Sequence, residues 1–147
     1  MAGITAELAG LTAAGAPAAE IEALMRANQD VLRLSQHHKQ IQTAYSVYER
    51  VDTSDAATRP VIASTNSANI GRPIEDPDHT CLAAALADGS AQNSPVTDHR
   101  SIPIYHVCRQ ISGPGTEVAA VLLMEVQTED FIDPLLVASG GGATGET

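Results

Sequence analysis

The chain has 147 residues, 44% of them hydrophobic but only 3% aromatic, and a formal charge of −10. That is one domain's length with enough apolar content for an aliphatic core, which excludes a wholly disordered chain. Eight Lys and Arg against eighteen Asp and Glu speak against nucleic acid or an anionic membrane surface as partner, because both are held through cations.

No apolar run approaches the roughly 20 residues of a membrane span. "MAGITAELAG" also lacks the basic region and apolar block of a signal peptide. The sequence thus predicts no direct membrane insertion. It is cytoplasmic if complete as written and extracytoplasmic if excised from a membrane receptor.

Residues 1–40 read as a helical segment. Ile4, Leu8 and Leu11 share one face, and Gly15 with Pro17 breaks the helix. A long second helix follows, with Ile21, Leu24, Asn28, Val31 and Ser35 at spacings of three and four. His37, His38 and Lys39 fall where cations suit a helix C-terminus. Asn28 inside that stripe is expected either to fix the register of paired helices, as in a homodimer, or to lie on the domain's own sheet.

The period then shortens to two. Ile41–Val51 reads as a first strand, "DTSDAATR" as a turn, and "PVIAST" as the second strand of an antiparallel hairpin. In "NSANIGRPIEDPD", Asn66, Ser67 and Asn69 suit tight turns, and Gly71 permits an unusual backbone angle. "HTCLAAALADG" makes a short helix, and "AQNSPVTD" an edge strand that tolerates Pro95. "SIPIYHVCRQI" and "EVAAVLLMEV" are the two clearest strands, joined by the turn "SGPGT". Asp133 and Pro134 are expected to start a last helical turn, and residues 139–147 to form a flexible tail. The predicted fold class is α+β. A five-stranded antiparallel PAS/profilin-like sheet carries a long N-terminal helix and a helical excursion between strands 2 and 3, with residues 41–138 as the domain proper.

The element order and "VIASTNSANIGRPIEDPD" resemble the Cache sensor domains, PAS-like ligand-binding modules of bacterial receptors. "AALADGSA" and "SIPIYHVCRQISGPGTEVAAVLLMEV" are similar to that family's short helix and closing hairpin. The GAF domain is a second resemblance, through "LAAALADGSA", the Pro-Ile strand and "TEDF". The Cache resemblance implies signal transduction, with a small-molecule ligand between the sheet and the Asn66–Asp88 excursion, which closes as a lid. In carboxylate-binding members the basic residues that hold the ligand precede the Pro-Ile strand. His99, Arg100 and Ser101 stand there, with Tyr105 and His106 on the strand and Arg72 in the excursion as further candidates. The expected partner is accordingly a small anionic, carboxylate-type metabolite. The alternative is a dimerisation module of the same fold with no small ligand.

No cofactor is implied, and the enzyme motifs GxSxG, phosphate loop and HExxH are missing. Arg72 has a second reading as a cation paired with Glu75 or Asp76. The echo of "HTC" and "HVC" offers two imidazoles and two thiols, a set that suits zinc at an unusual spacing. Two buried free thiols are the default reading of Cys81 and Cys108, and a disulfide is the alternative for an exported domain.

Overall fold

The computed structural model describes residues 2–74, 78–88, 92–97, 103–115 and 117–127. Three helices open the chain: α1 (Ala2–Ala13), α2 (Ala18–Ala27) and α3 (Gln29–Ala44). Ile4 and Leu8 are buried on α1, and Gly15, at φ 69°, turns the chain toward α2.

The expected long second helix is divided at Asn28. Asn28 is extended, and its side chain accepts from the backbone N–H groups of Asp30 and Val31, so it caps α3 rather than sitting in a stripe. Its Nδ2 also donates to Glu7 at 2.9 Å, which ties α1 to the start of α3. At the other end, α3 continues through Ala44 and absorbs the beginning of the expected first strand. Val31, Ser35 and His38 are buried at helical spacing, and Ile41 and Gln42 extend that face half-buried. The three basic residues are therefore mid-helix, and His38 points inward.

The strands are β1 (Tyr48–Asp55), β2 (Val61–Ser64), β3 (Gln92–Thr97), β4 (Pro103–Ser112) and β5 (Val118–Gln127). All pairings are antiparallel, in the order β2-β1-β5-β4-β3. Pro95 sits on an edge strand, where a missing N–H costs no ladder bond. The α+β class with an antiparallel sheet is thus observed. The first strand differs from its expected position: Asp52–Asp55, read as turn, belong to β1. Asp is ordinarily poor in strands, but the partners described below stabilise Asp52 there.

Between β2 and β3 the chain divides its attachments. Asn66 caps a 3-10 turn, η1 (Ser67–Asn69), through its side chain. The next residues return to β2: Gly71 donates to Val61, and Val61 to Arg72. Gly71 has φ 83°, and a Cβ there would lie 2.5 Å from the Glu22 backbone, so two independent constraints require glycine. Pro73 still bridges to Pro60, Ile74 packs with the residues beneath α4, and α4 (Asp78–Asp88) covers the opposite face.

Two apolar clusters result. Ile4, Leu8, Met25, Val31, Ile62, Ile70 and Ala120 join the three N-terminal helices to one side of the sheet. Cys81, Leu82, Ala85, Cys108, Val121 and Leu123 join α4 to the other.

Candidate functional site

The side of the sheet that carries α4 also holds a polar cluster that crosses four strands, with Asp52, Ser64 and His106 buried and Arg50 and Glu125 half-buried. Residues paired across antiparallel strands share a face, and the register places Arg50 opposite Glu125 and Glu125 opposite His106. Asp52 is opposite both Leu123 and Ser64. The Arg50 guanidinium meets Asp52 at 3.1 Å and Glu125 at 2.8 Å, and His106 Nε2 lies 3.4 Å from the same Glu125 oxygen. Ser64 Oγ donates to Asp52 Oδ1 at 2.5 Å. Asp52 and His106 are each 2% exposed. One guanidinium thus stands between two carboxylates, so these ion pairs leave no surplus positive charge. Buried ions need such pairing, because desolvation of an unpaired charge costs several kcal/mol.

The helix α4, on the same side of the sheet, is anchored at two points. Cys81 in α4 and Cys108 in β4 form a disulfide, with Cα atoms 5.8 Å apart. This corrects the default of two free thiols, and it occupies both sulfurs of the HxC echo. Further along, Gln110 Nε2 donates to the carbonyls of Ala85 and Leu86 at 2.9 and 3.2 Å. Those carbonyls lie in the last turn of α4, where no intrahelical donor exists.

Of the sequence candidates that are described, His106 is not brought together with Arg72 or Tyr105. His99, Arg100 and Ser101 lie outside the described residues, as do the metal-site candidate's His79 side chain, Glu75 and Asp76. His106 belongs to the cluster. Tyr105, its neighbour, faces the opposite side and is 39% exposed, as strand alternation requires. Arg72 lies with α2, not over the α4 face. Its guanidinium is 3.4 Å from Glu22, which also binds Arg26 at 2.6 Å, while Arg26 donates to the Ala68 carbonyl. Arg72 therefore helps fasten the excursion to α2, and Tyr105 and Arg72 cannot share one hollow with His106.

Arg50, Asp52, Ser64 and Glu125 were not among the candidates. The available signal was the alternation Arg50, Asp52, Ser54 on one strand face, which is lost when the strand is ended at Val51. On the helical side, His38 is a further buried polar group. Its Nε2 is 2.8 Å from Thr53 Oγ1, and Nδ1 has no hydrogen-bond partner among the described residues. Burial, with the charge of His37 beside it, lowers its pKa from 6.5 to about 4, so the ring is neutral at pH 7.

A separate cavity of about 550 Å³ opens beside the β4–β5 turn, lined by Thr5, Asp55, Gly113, Glu117 and Val118 among others. Asp55 is already committed there, accepting from the Ala57 and Thr58 backbones and the Thr58 hydroxyl. It is not the hollow expected beneath α4.

Compared with solved structures, the chain matches the E. coli DcuS sensor domain with a TM-score of 0.55 at 10% identity, over 90% of this chain and 97% of that one. The fold is that of a Cache-type, PAS-like sensor domain. The sensor domain of the V. cholerae histidine kinase DctB aligns at 12% identity, over 86% of this chain and 54% of that one, with a TM-score of 0.49. The periplasmic domain of RsbU from Chlamydia trachomatis aligns at 20% identity, over 71% and 38%, also at 0.49. No protein-family model and no curated protein matches the chain. Within this Cache-type fold, α4 and the cluster Ser64–Asp52–Arg50–Glu125–His106 occupy one side of the sheet, and α1 to α3 the other. No helix among the described residues is long and apolar enough to cross a membrane.

Proposed function

We propose that the chain is a non-enzymatic sensor module that binds a small carboxylate-type anion on the α4 side of its sheet. The observation that carries this reading is the largely buried charged cluster on that face, in a fold shared with a sensor domain. Buried charge is costly for stability alone, and clefts that concentrate it are candidate binding sites. Arg50 is already shared between two carboxylates, so the ligand's cationic partners are His99 and Arg100, with Ser101 adding a hydroxyl and His106 forming the floor. Arg72 and Tyr105 take no part. Closure of the excursion over the ligand would work within the limits set by the disulfide and by Gln110, which hold α4 on the sheet. The disulfide also favours an oxidising, extracytoplasmic setting.

The test is thermal unfolding of the oxidised protein with a panel of acetate, lactate, succinate and citrate. A member present at 100 times its dissociation constant is expected to add about 2.7 kcal/mol, and Arg100→Ala to abolish the shift. A panel without effect on the wild-type protein contradicts the reading. The second reading, a dimerisation module, draws on Leu24 and Leu32, which are 37% and 43% exposed on α2 and α3. Sedimentation would then show a dimer that Leu24→Glu dissociates.

A further inference from the structure

The polar cluster does not end at the sheet. Ser64 lies on β2, an edge strand, and its backbone N–H donates to Ser35 Oγ of α3 at 3.1 Å. An edge N–H that finds no strand is thereby covered by a helix. The Ser64 hydroxyl turns the other way and donates to Asp52, and it also accepts from the backbone N–H of Asn66 at 2.9 Å. Ser64 is 1% exposed and Ser35 7%. One small residue therefore touches the helical side through its backbone, the α4 side through its side chain, and the start of the excursion through the same oxygen.

From Ser64 the contacts continue without a break. Asp52 holds Arg50, Arg50 holds Glu125, and Glu125 meets His106. The chain of contacts thus runs from α3 over the sheet edge and across β2, β1, β5 and β4 to the floor of the proposed ligand face.

We infer that this line couples the charge state of the α4 face to the docking of α3, with Ser64 as the joint. The physical basis is that each member has one position satisfying both neighbours, in surroundings where an unmade polar contact is expensive. If Glu125 is drawn away from Arg50, the guanidinium shifts against Asp52. Asp52 then changes its hold on the Ser64 hydroxyl, and the Ser64 N–H shifts against Ser35. Ser35 sits one turn from His38, whose contact with Thr53 is a further polar attachment of α3 to the sheet, as is the donation of Gln42 to the Glu49 carbonyl. A small displacement at Ser64 is therefore expected to alter the protection of α3 around Ser35. Coupling of this kind is reciprocal, so loosening α3 should also alter the setting of Arg50.

The inference rests on reading the α4 face as the ligand face, but its test uses no ligand, so the two can fail separately. Hydrogen exchange is followed by mass spectrometry in the oxidised wild-type protein, Glu125→Gln, Ser35→Ala and the double variant, with α4 amides as the internal reference for global unfolding. Glu125→Gln keeps the shape and removes the charge. It is expected to speed exchange in α3 relative to α4 on the order of two- to thirty-fold. In the Ser35→Ala background the same substitution should leave α3 exchange unchanged, because the joint is already cut. Equal accelerations in both backgrounds, or none in α3 in either, would overturn the coupling. Should Glu125→Gln fail to fold, His106→Gln at the far end of the line is read against Ser35→Ala by the same criteria.

Discussion

On the helical side of the sheet, Ile4, Leu8, Met25, Val31, Ile62 and Ile70 meet in an aliphatic cluster, and the contact of His38 with Thr53 is neutral. The buried carboxylate Asp55, at the end of β1, is met among the described residues by the Ala57 and Thr58 N–H groups and the Thr58 hydroxyl rather than by a cation. On the α4 side, a comparable apolar patch is held by a disulfide and borders a guanidinium between two carboxylates. The first arrangement is what burial alone favours, because aliphatic groups leave water with no polar penalty. The second retains charge that hydrophobic residues of like volume could replace without loss of stability. The difference separates a face that holds the helices from one whose chemistry calls for another explanation, and that explanation is proposed to be a ligand.

The comparison breaks most visibly at a fully buried leucine. Leu8→Ala in α1 should cost up to about 5 kcal/mol, read as a lowered urea midpoint with little change in slope. A loss below about 1 kcal/mol would mean that the helices are not part of the cooperative core. On the other face, the disulfide closes a loop with a sequence separation of 27. Its removal in Cys81→Ala/Cys108→Ala should cost about 2–4 kcal/mol. Reductant should lower the melting temperature of the wild-type protein and leave the double variant unmoved. Identical responses of the two proteins would show that the thiols are unpaired.

His38 sharpens the comparison through pH. Its folded pKa, about 4, lies below its unfolded value of 6.5, so the unfolded chain binds the proton first. Stability is therefore full above pH 6.5 and falls as pH drops toward 4. The loss between pH 7.5 and 5 should be about 2 kcal/mol greater than in His38→Gln, measured by urea titration at both values. Parallel pH profiles for the two proteins would place the proton elsewhere. The smallest effect is expected at the junction of α2 and α3, where Asn28→Ala removes a cap and should cost about 1 kcal/mol. Asn28→Ser should recover most of the capping loss, since an acceptor oxygen remains and no second carboxylate is set against Glu7. A residue that instead set the register of paired helices would show its effect in sedimentation.

Much of the fold was legible because it rests on local signals. Gly15 and Gly71 sit at positive φ, Pro95 lies on an edge strand, and Ile104, His106 and Cys108 alternate in burial with Tyr105, Val107 and Arg109. The errors came where two local signals coincide. Asn28 has the spacing of a stripe and the chemistry of a cap, and only the backbone angle separates them. Ile41–Ala44 look like the start of a strand, but the face begun by Val31, Ser35 and His38 carries the helix onward. Asp52 reads as a turn residue until Arg50 and Ser64 are seen beside it. The candidate site was less legible for a related reason. Its members lie on four strands far apart in sequence, and alternation says which face a residue takes, not which strand lies next to it. The Cys81–Cys108 pairing was open for the same reason, since a Cα separation is not written in the sequence.

The central claim is that the α4 side of the sheet is the ligand face. Amide chemical shifts of the oxidised, isotope-labelled protein during titration with succinate and acetate test it most directly. The account predicts saturable shifts concentrated on β4 and β5 around His106 and Glu125 and on Arg50, which Arg100→Ala eliminates. Shifts confined to α2 and α3, or to Thr5 and Glu117 beside the β4–β5 turn, would contradict it.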